Sequence, residues 1–428
     1  MAQVLILKAP SAPTFGQSIV FLVALLAFAN PGSAQSGFDG DVNIPLDQLL
    51  PTSLISSGEH RVTGARRVGA NAIVFDIESQ ADGPQSAESI ALALIRIHEA
   101  RTLAQASNQF AQDNRQQPKE GRGQMRVEGD SVAEILTSPL STSANVVDQF
   151  GTNVKRTIKE FGEFPGPDDG RAASAKSAPG DPVFASYRRS VASQLKLDVY
   201  SSNSAVQNLL NTLARARVTG HARAGVTTVS LGRSPEVQIE SGRLSERVRQ
   251  AVLNEEESAL FNKADTALRE AGINADLSAR LIKHEVLTPT HKSALTEYVT
   301  FLNDVNGRNA LIEAALGVAN EVQALAKVRI ARMYAYYHQS WTPLRDLIGA
   351  GHLALAINTD GALLVALPFD FLAWTPPTQR VFDGLAQFAE RKGITSKSLL
   401  LSGVITPKAR EGLEARGFAV FERFLFAR

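Results

Sequence analysis

Three polar residues near the carboxyl end have side chains that enzyme chemistry could use. Asp370 comes just after a predicted central strand, and the carboxyl ends of strands are where α/β active sites gather. Ser402 ends a second predicted strand, and the loop from Ser402 to Thr406 would point free amides of the next helix at an anion. A hydrolase or transferase site is one hypothesis for this group. The alternative is structural, with Asp370 as a turn or cap residue and Ser402 in a tight strand-to-helix turn.

Sequence motifs that would strengthen the enzyme hypothesis are missing. The seven histidines form no H-E-x-x-H pattern, and Pro289 interrupts any helix shared by His284 and His291. No G-x-S-x-G elbow, S-x-x-K set or phosphate-binding glycine loop occurs. The sequence has no cysteine, which excludes disulfides, thiol nucleophiles and Cys-ligated zinc. We therefore predict no metal site and no cofactor, and we favour a non-enzymatic function.

A dense aromatic cluster is the main candidate for a ligand or partner surface. On a helix, four of its side chains would share one face: Tyr334, Tyr337, His338 and Trp341. Aromatic faces can bind sugars or cations. The alternative, which we favour, is that this face packs against a neighbouring carboxyl-terminal unit with its hydroxyls reaching the surface.

Residues 147–161 form an amphipathic segment that could lie on a membrane surface. Its apolar side would enter the lipid interface while its basic side faces anionic headgroups. The candidate residues are Phe150, Lys155, Arg156, Ile158, Lys159 and Phe161. Three cations contribute about 1 kcal/mol each, which gives weak and reversible binding. The same pattern also describes a helix packed on a protein core.

The charge of the chain does not indicate a nucleic-acid partner. The formal net charge is +1, so no global field attracts an acidic polymer. The one basic run, from Arg215 to Arg233, lacks the interleaved aromatic residues of single-strand binders. We expect a solvated loop there and no nucleic-acid binding.

The first 34 residues have the pattern of an export signal. Ser18 to Ala29 is an apolar run, and small residues at Ser33 and Ala34 suit a cleavage site. The run is shorter than the roughly 20 apolar residues that span a bilayer. We therefore predict a signal peptide at 1–34 and a soluble chain from Gln35 onward in the periplasm or outside the cell.

The remaining chain divides by composition and periodicity into five segments. We predict an extended lead-in at 35–57, a β-hairpin with amphipathic helices at 58–161, a flexible linker at 162–182, a helical domain at 183–340 and a small α/β unit at 341–428. The fold class is therefore α+β and mostly helical, with a β-hairpin plus helix first, a helical middle and an α/β unit last.

Local signals predict the individual elements of these segments. Alternation from Val62 to Ile77 around a glycine-containing turn indicates the hairpin, followed by a helix over 86–112. Four Thr-Pro pairs are typical of helix starts: Thr288-Pro289, Thr342-Pro343, Thr375-Pro376 and Thr406-Pro407. At the carboxyl end we predict strands at 353–357, 362–367, 398–401 and 418–421 with helices at 376–391 and 407–416, and a β-α-β crossover joining the last two strands.

Three short stretches resemble those of exported bacterial proteins whose activity is unknown. They are Leu197–Asn203 (LDVYSSN), Leu367–Thr375 (LPFDFLAWT) and the region from Leu401 to Arg410 (LSG, then TPKAR). The resemblance spans most of the chain after the leader and implies export without implying an activity. We expect a non-enzymatic exported protein that binds another macromolecule of the cell envelope. A hydrolase or transferase, and a peripheral membrane protein acting through 147–161, are the alternatives.

Overall fold

The computed structural model describes residues 37–40, 44–68, 71–116, 182–218 and 246–424. The fold class is α+β, as predicted, with a helical middle and a sheet in each of the two terminal regions. Among the described helices, none is both long enough and apolar enough to cross a membrane. The predicted leader, segment 147–161, linker residues 162–181 and most of the basic run lie outside the described residues.

The amino-terminal region is a three-stranded antiparallel sheet covered by a long helix. Strands β1 (His60–Val68), β2 (Ala72–Ser79) and β3 (Gly83–Glu88) pair in sequential order, and helix α3 (Ile90–Gln116) follows. The predicted β1–β2 hairpin is confirmed. The predicted helix start at Ser86 is wrong, because 83–88 pairs with β2 instead. That segment has no clear apolar alternation, so its sequence did not indicate a strand.

The predicted extended lead-in at 35–57 contains two single-turn helices, α1 (Leu46–Leu49) and α2 (Thr52–Ile55). A proline precedes each one, and its fixed φ suits the start of a helical turn. The turns bring Leu50 and Leu54 into the core beneath the amino-terminal sheet. Burial of these leucines therefore overrides the extended conformation that the prolines suggested.

The middle region is built from helices, as predicted. They are α4 (Pro182–Leu195), α5 (Ser204–Val218), α6 (Glu246–Asn254), α7 (Glu257–Glu270), α8 (Ala275–Lys283), α9 (Pro289–Thr300), α10 (Asn309–Ala315) and α11 (Glu321–Ser340). Helix α9 begins with the predicted Thr288-Pro289 pair, and the Thr288 side chain accepts a hydrogen bond from the backbone of His291. The glycine-punctuated loop predicted near 218–242 lies outside the described residues.

The carboxyl-terminal region is a five-stranded mixed sheet in the order β10-β8-β6-β5-β4. Its strands are β4 (Leu344–Ala350), β5 (Leu353–Asn358), β6 (Leu363–Leu367), β8 (Lys397–Leu401) and β10 (Phe418–Phe421). Strands β6, β8 and β10 are parallel and are connected by helices α12 (Pro376–Arg391) and α13 (Pro407–Glu414), which include the predicted β-α-β unit. A separate parallel pair joins β7 (Phe371–Leu372) to β9 (Val404–Ile405).

One predicted helix start in this region is wrong. Thr342-Pro343 precedes strand β4, which pairs with β5 from Leu344 to Ala350 with one register shift after Leu344. Leu344 and Leu347 are buried by that pairing. The other three Thr-Pro pairs cap helices α9, α12 and α13 as predicted. A Thr-Pro pair suits an extended entry as well as a helix cap, and long-range pairing decides between them.

Candidate functional site

Asp370 lies at the carboxyl end of the central strand β6 and caps a helix that is distant in sequence. Its Oδ2 accepts a hydrogen bond from the backbone N–H of Ile90 at 2.6 Å, at the start of α3. The Asp370 carboxylate is 5 % exposed, and its Oδ1 lies 3.9 Å from Nη1 of the equally buried Arg329. A carboxylate at a helix N-terminus satisfies a free amide and complements the helix dipole. Asp370 therefore attaches α3 to the carboxyl-terminal sheet.

Ser402 and Gly403 form the tight turn that the structural alternative predicted. The Ser402 hydroxyl donates to the backbone carbonyl of Phe369 at 2.9 Å. A Cβ atom on Gly403 would lie 1.8 Å from the carbonyl oxygen of Asp370, so only glycine permits this approach. The two loops after β6 and β8 are thus held together by backbone contacts.

Thr406 caps helix α13 and also holds the amino-terminal segment. Its Oγ1 accepts from the backbone N–H of Ala409 at 3.0 Å and donates to Oδ2 of Asp39 at 2.5 Å. The same Asp39 oxygen accepts the backbone N–H of Trp374 at 2.6 Å. The structure therefore brings Asp370, Ser402 and Thr406 to one edge of the sheet, where each makes hydrogen bonds that hold segments of the chain together.

A buried polar network connects α3 to the LDVYSSN stretch. Glu99 Oε2 accepts from Arg96 Nη1 at 2.8 Å and from Asn203 Nδ2 at 3.0 Å, and its Oε1 accepts from the Ser201 hydroxyl. Arg96 also pairs with Glu321 at the start of α11, at 2.5 Å. Two of the three stretches that carry the family resemblance therefore bind α3, and the third packs on one of those two.

The four residues of the candidate aromatic surface divide into buried and exposed members. Tyr334 is fully buried, and its hydroxyl donates to the carbonyl of Ala354 at 2.7 Å; burial raises the pKa of this hydroxyl. Tyr337 is buried as well, and His338 Nδ1 accepts from the backbone N–H of Leu344 at 2.9 Å. Burial lowers the pKa of His338. These three side chains pack against the carboxyl-terminal sheet, as the favoured alternative predicted. The prediction that the hydroxyls reach the surface is wrong for Tyr334, because its hydroxyl bonds to backbone groups inside the sheet.

Trp341, the fourth member, is 49 % exposed and sits on a platform of other rings. It stacks on Tyr337 with ring centroids 5.8 Å apart and an interplanar angle of 27°. Phe421 meets it edge-on at 5.2 Å, and Phe424 lies 5.6 Å away. Such pairs stabilise each other beyond their burial and hold the ring in one position. Trp341 is therefore a large, preorganised apolar group facing solvent.

The structure also contains a polar cavity that was not predicted from the sequence. It has a volume of about 580 Å³ and is lined by residues that include Arg188, Tyr200 and Lys292. Tyr200 belongs to the LDVYSSN stretch, which was the one available sequence signal. The other residues come from different helices, so neither spacing nor periodicity could assemble them.

Neither the described side chains nor a comparison with known proteins indicates an activity. In the part of the chain that the structure describes, no group of three or more His, Asp or Glu side chains could hold a metal ion. A scan against protein-family models, a search of curated proteins and a search of solved structures each find no match to this chain. Function has to be inferred from the chain's own contacts.

Proposed function

We propose that this chain is an exported protein that acts without catalysis, by binding another macromolecule of the cell envelope through Trp341. The observation that carries the proposal is the half-exposed Trp341 ring held on Tyr337, Phe421 and Phe424. Tryptophan is enriched among residues that dominate binding energy, and a ring already fixed in place loses little entropy when a partner covers it.

The contacts of the catalytic candidates support a binding role over an enzymatic one. Asp370 holds the first amide of α3, Ser402 holds a neighbouring loop, and Thr406 holds Asp39. A catalytic group would have to release these hydrogen bonds before it could reach a substrate. Export is supported by the leader-like residues 1–34 and by the resemblance to exported bacterial proteins. Contact of 147–161 with an anionic membrane stays a prediction from sequence.

The test places a photo-crosslinking amino acid at position 341 of the full chain in living cells. Crosslinked species are identified from the envelope fraction, and the first residue of the recovered chain is sequenced. We expect one reproducible partner and a chain that begins at Gln35. Recovery from the cytosolic fraction of a chain that still begins at Met1 would contradict the proposal that the protein acts in the cell envelope.

Affinity for the purified partner then decides the role of Trp341. We expect Trp341→Ala to weaken binding at least tenfold, which is about 1.4 kcal/mol. The matched control is Val381→Ala, because Val381 is also 49 % exposed but lies on α12. Trp341→Ala also removes contacts with three rings and should lower the free energy of unfolding by about 1 to 3 kcal/mol, so binding is compared on samples that circular dichroism shows to be folded. Val381→Ala should lower it by less than about 1 kcal/mol. Equal binding by both variants would contradict the proposal.

A further inference from the structure

The cavity in the helical region lies between α4, the loop after it, α7 and the segment that joins α8 to α9. Its volume of about 580 Å³ is in the range of small-molecule sites. Polar groups and apolar side chains both line it, the apolar ones including Phe261 and Leu287.

Arg188 is the first of two cations that line this cavity. Its Nη2 donates to the backbone carbonyl of Val199 at 3.1 Å and to the side-chain oxygen of Gln207, and both acceptors are neutral. Its Nε is buried and has no hydrogen-bond acceptor within the described residues. No carboxylate of the described chain lies within ion-pair distance of it. Burial lowers the pKa of Arg188.

Lys292 is the second cation, and it is 5 % exposed. Its Nζ donates to the backbone carbonyl of Ile282 at 2.7 Å and lies 4.6 Å from the centre of the Phe261 ring. Again the partners are neutral, and no described carboxylate forms an ion pair with it. Burial lowers the pKa of Lys292.

The acidic residues near the cavity do not neutralise these two cations by direct contact. Glu257 and Glu285 line the cavity but are exposed, as is Lys283. Asp198 is half-buried, and its Oδ1 accepts from the backbone N–H of Tyr200 and from the Thr290 hydroxyl. Burial raises the pKa of Asp198, and the hydrogen bonds from Tyr200 and Thr290 lower it. Glu257 attracts both cations at longer range, so what the described residues lack is a carboxylate in direct contact with Lys292 or Arg188.

Burying the Lys292 ammonium without a carboxylate in contact is unfavourable, and an anionic ligand would supply the opposite charge. We propose that this cavity binds a small organic anion with a carboxylate group and an apolar body. The carboxylate would lie between Lys292 and Arg188, and the half-buried Tyr200 is a neighbouring donor. The apolar body would contact Phe261 and Leu287. This site is independent of Trp341, so either proposal can fail alone.

The test uses benzoate as the probe and benzyl alcohol as its neutral counterpart of similar shape. Binding to the full chain is followed by isothermal titration and by NMR shifts of the lysine Nζ and tyrosine resonances. We expect benzoate to bind at least tenfold more tightly than benzyl alcohol and more tightly than inorganic phosphate. No benzoate binding at concentrations up to about 10 mM would overturn the proposal. Tighter binding of phosphate or of the alcohol would overturn it as well.

A variant assigns the binding to the cavity. Lys292→Met keeps an unbranched apolar side chain over Phe261 and removes the charge, so we expect at least tenfold weaker benzoate binding. Lys392→Met makes the same change at an exposed position on the end of α12 and should leave benzoate binding unchanged. Equal benzoate affinity of Lys292→Met and the unmodified chain would refute the site. Arg188→Gln provides a second variant with the same expectation if Lys292→Met does not fold.

Discussion

The edge of the carboxyl-terminal sheet and the cavity of the helical region differ in the partners that their charged side chains have. At the sheet edge, the Asp370 carboxylate receives the Ile90 amide and lies 3.9 Å from the buried Arg329. Around the cavity, Lys292 and Arg188 donate to neutral carbonyl and amide oxygens and have no carboxylate within ion-pair distance in the described chain. The first region places a carboxylate beside its buried cation, although Nε of Arg329 has no hydrogen-bond acceptor among the described residues. The second region has no carboxylate in direct contact with either cation among the described residues.

This difference separates structural polar groups from groups that await a ligand. The sheet edge had the residue types of an active site, and all three of its candidates hold segments of the chain together. The cavity had no recognisable motif, and its two cations, the buried Lys292 and the half-buried Arg188, have no carboxylate in direct contact among the described residues. The presence or absence of an opposite charge in contact therefore separates the two regions, whereas residue type and place on a strand do not.

The largest expected effect on stability comes from removing the Asp370 carboxylate at the sheet edge. Asp370→Ala should lower the free energy of unfolding by about 3 to 5 kcal/mol, because it leaves Arg329 buried without its carboxylate and exposes an uncapped helix start. Asp370→Asn keeps an oxygen for the Ile90 amide and should cost less. Urea unfolding curves measure both, with Asp360→Ala in an exposed turn as the control. A loss of less than about 1 kcal/mol for Asp370→Ala would show that the pair is not structural.

Replacing Gly403 by alanine tests the backbone contact between the two loops at the same sheet edge. Gly403→Ala should lower the free energy of unfolding by about 3 kcal/mol, since the new Cβ would meet the Asp370 carbonyl at 1.8 Å. The control is Gly384→Ala on α12, where nothing lies within 4 Å of the new atom. That change should raise the stability by up to about 1 kcal/mol, because alanine favours a helix more than glycine does. Matching effects at the two positions would contradict the close packing of the loops.

A smaller effect concerns pH and lies in the helical region. Burial lowers the pKa of His291 to about 4, while a nearby Glu321 raises it slightly. In the unfolded chain, where a histidine has a pKa near 6.5, His291 binds a proton between pH 6.5 and 4. In the folded chain it stays neutral over that range. Stability from this group is therefore complete above pH 6.5 and falls as the pH drops, by about 2 kcal/mol at pH 5.

The variant that isolates this pH effect is His291→Gln. Glutamine can take the place of His291 Nδ1, which receives the Thr288 amide in the capping box of α9, and it does not titrate. The free energy of unfolding should therefore decrease less between pH 7 and pH 5 for the variant than for the unmodified chain. An identical fall would show that other groups carry the pH response.

Local patterns predicted much of the fold and little of the candidate sites. The helix Pro376–Arg391 and the strand Phe418–Phe421 match their predicted limits, because a Thr-Pro cap and a short apolar run are complete signals within their own segments. Strand β3 and strand β4 were missed, since each is stabilised mainly by pairing with a neighbouring strand. The role of Asp370 depends on Ile90, which is 280 residues earlier in the chain. No spacing rule connects residues so far apart.

The hydrogen bonds of Asp39 have a consequence for the order in which the chain is made. Its partners, Trp374 and Thr406, follow it by 335 and 367 residues. While a ribosome is still adding the intervening residues, the Asp39 carboxylate lacks both of these partners. The two hydrogen bonds of the Asp39 carboxylate can therefore form together only after residue 406 has been added, when almost the whole chain exists.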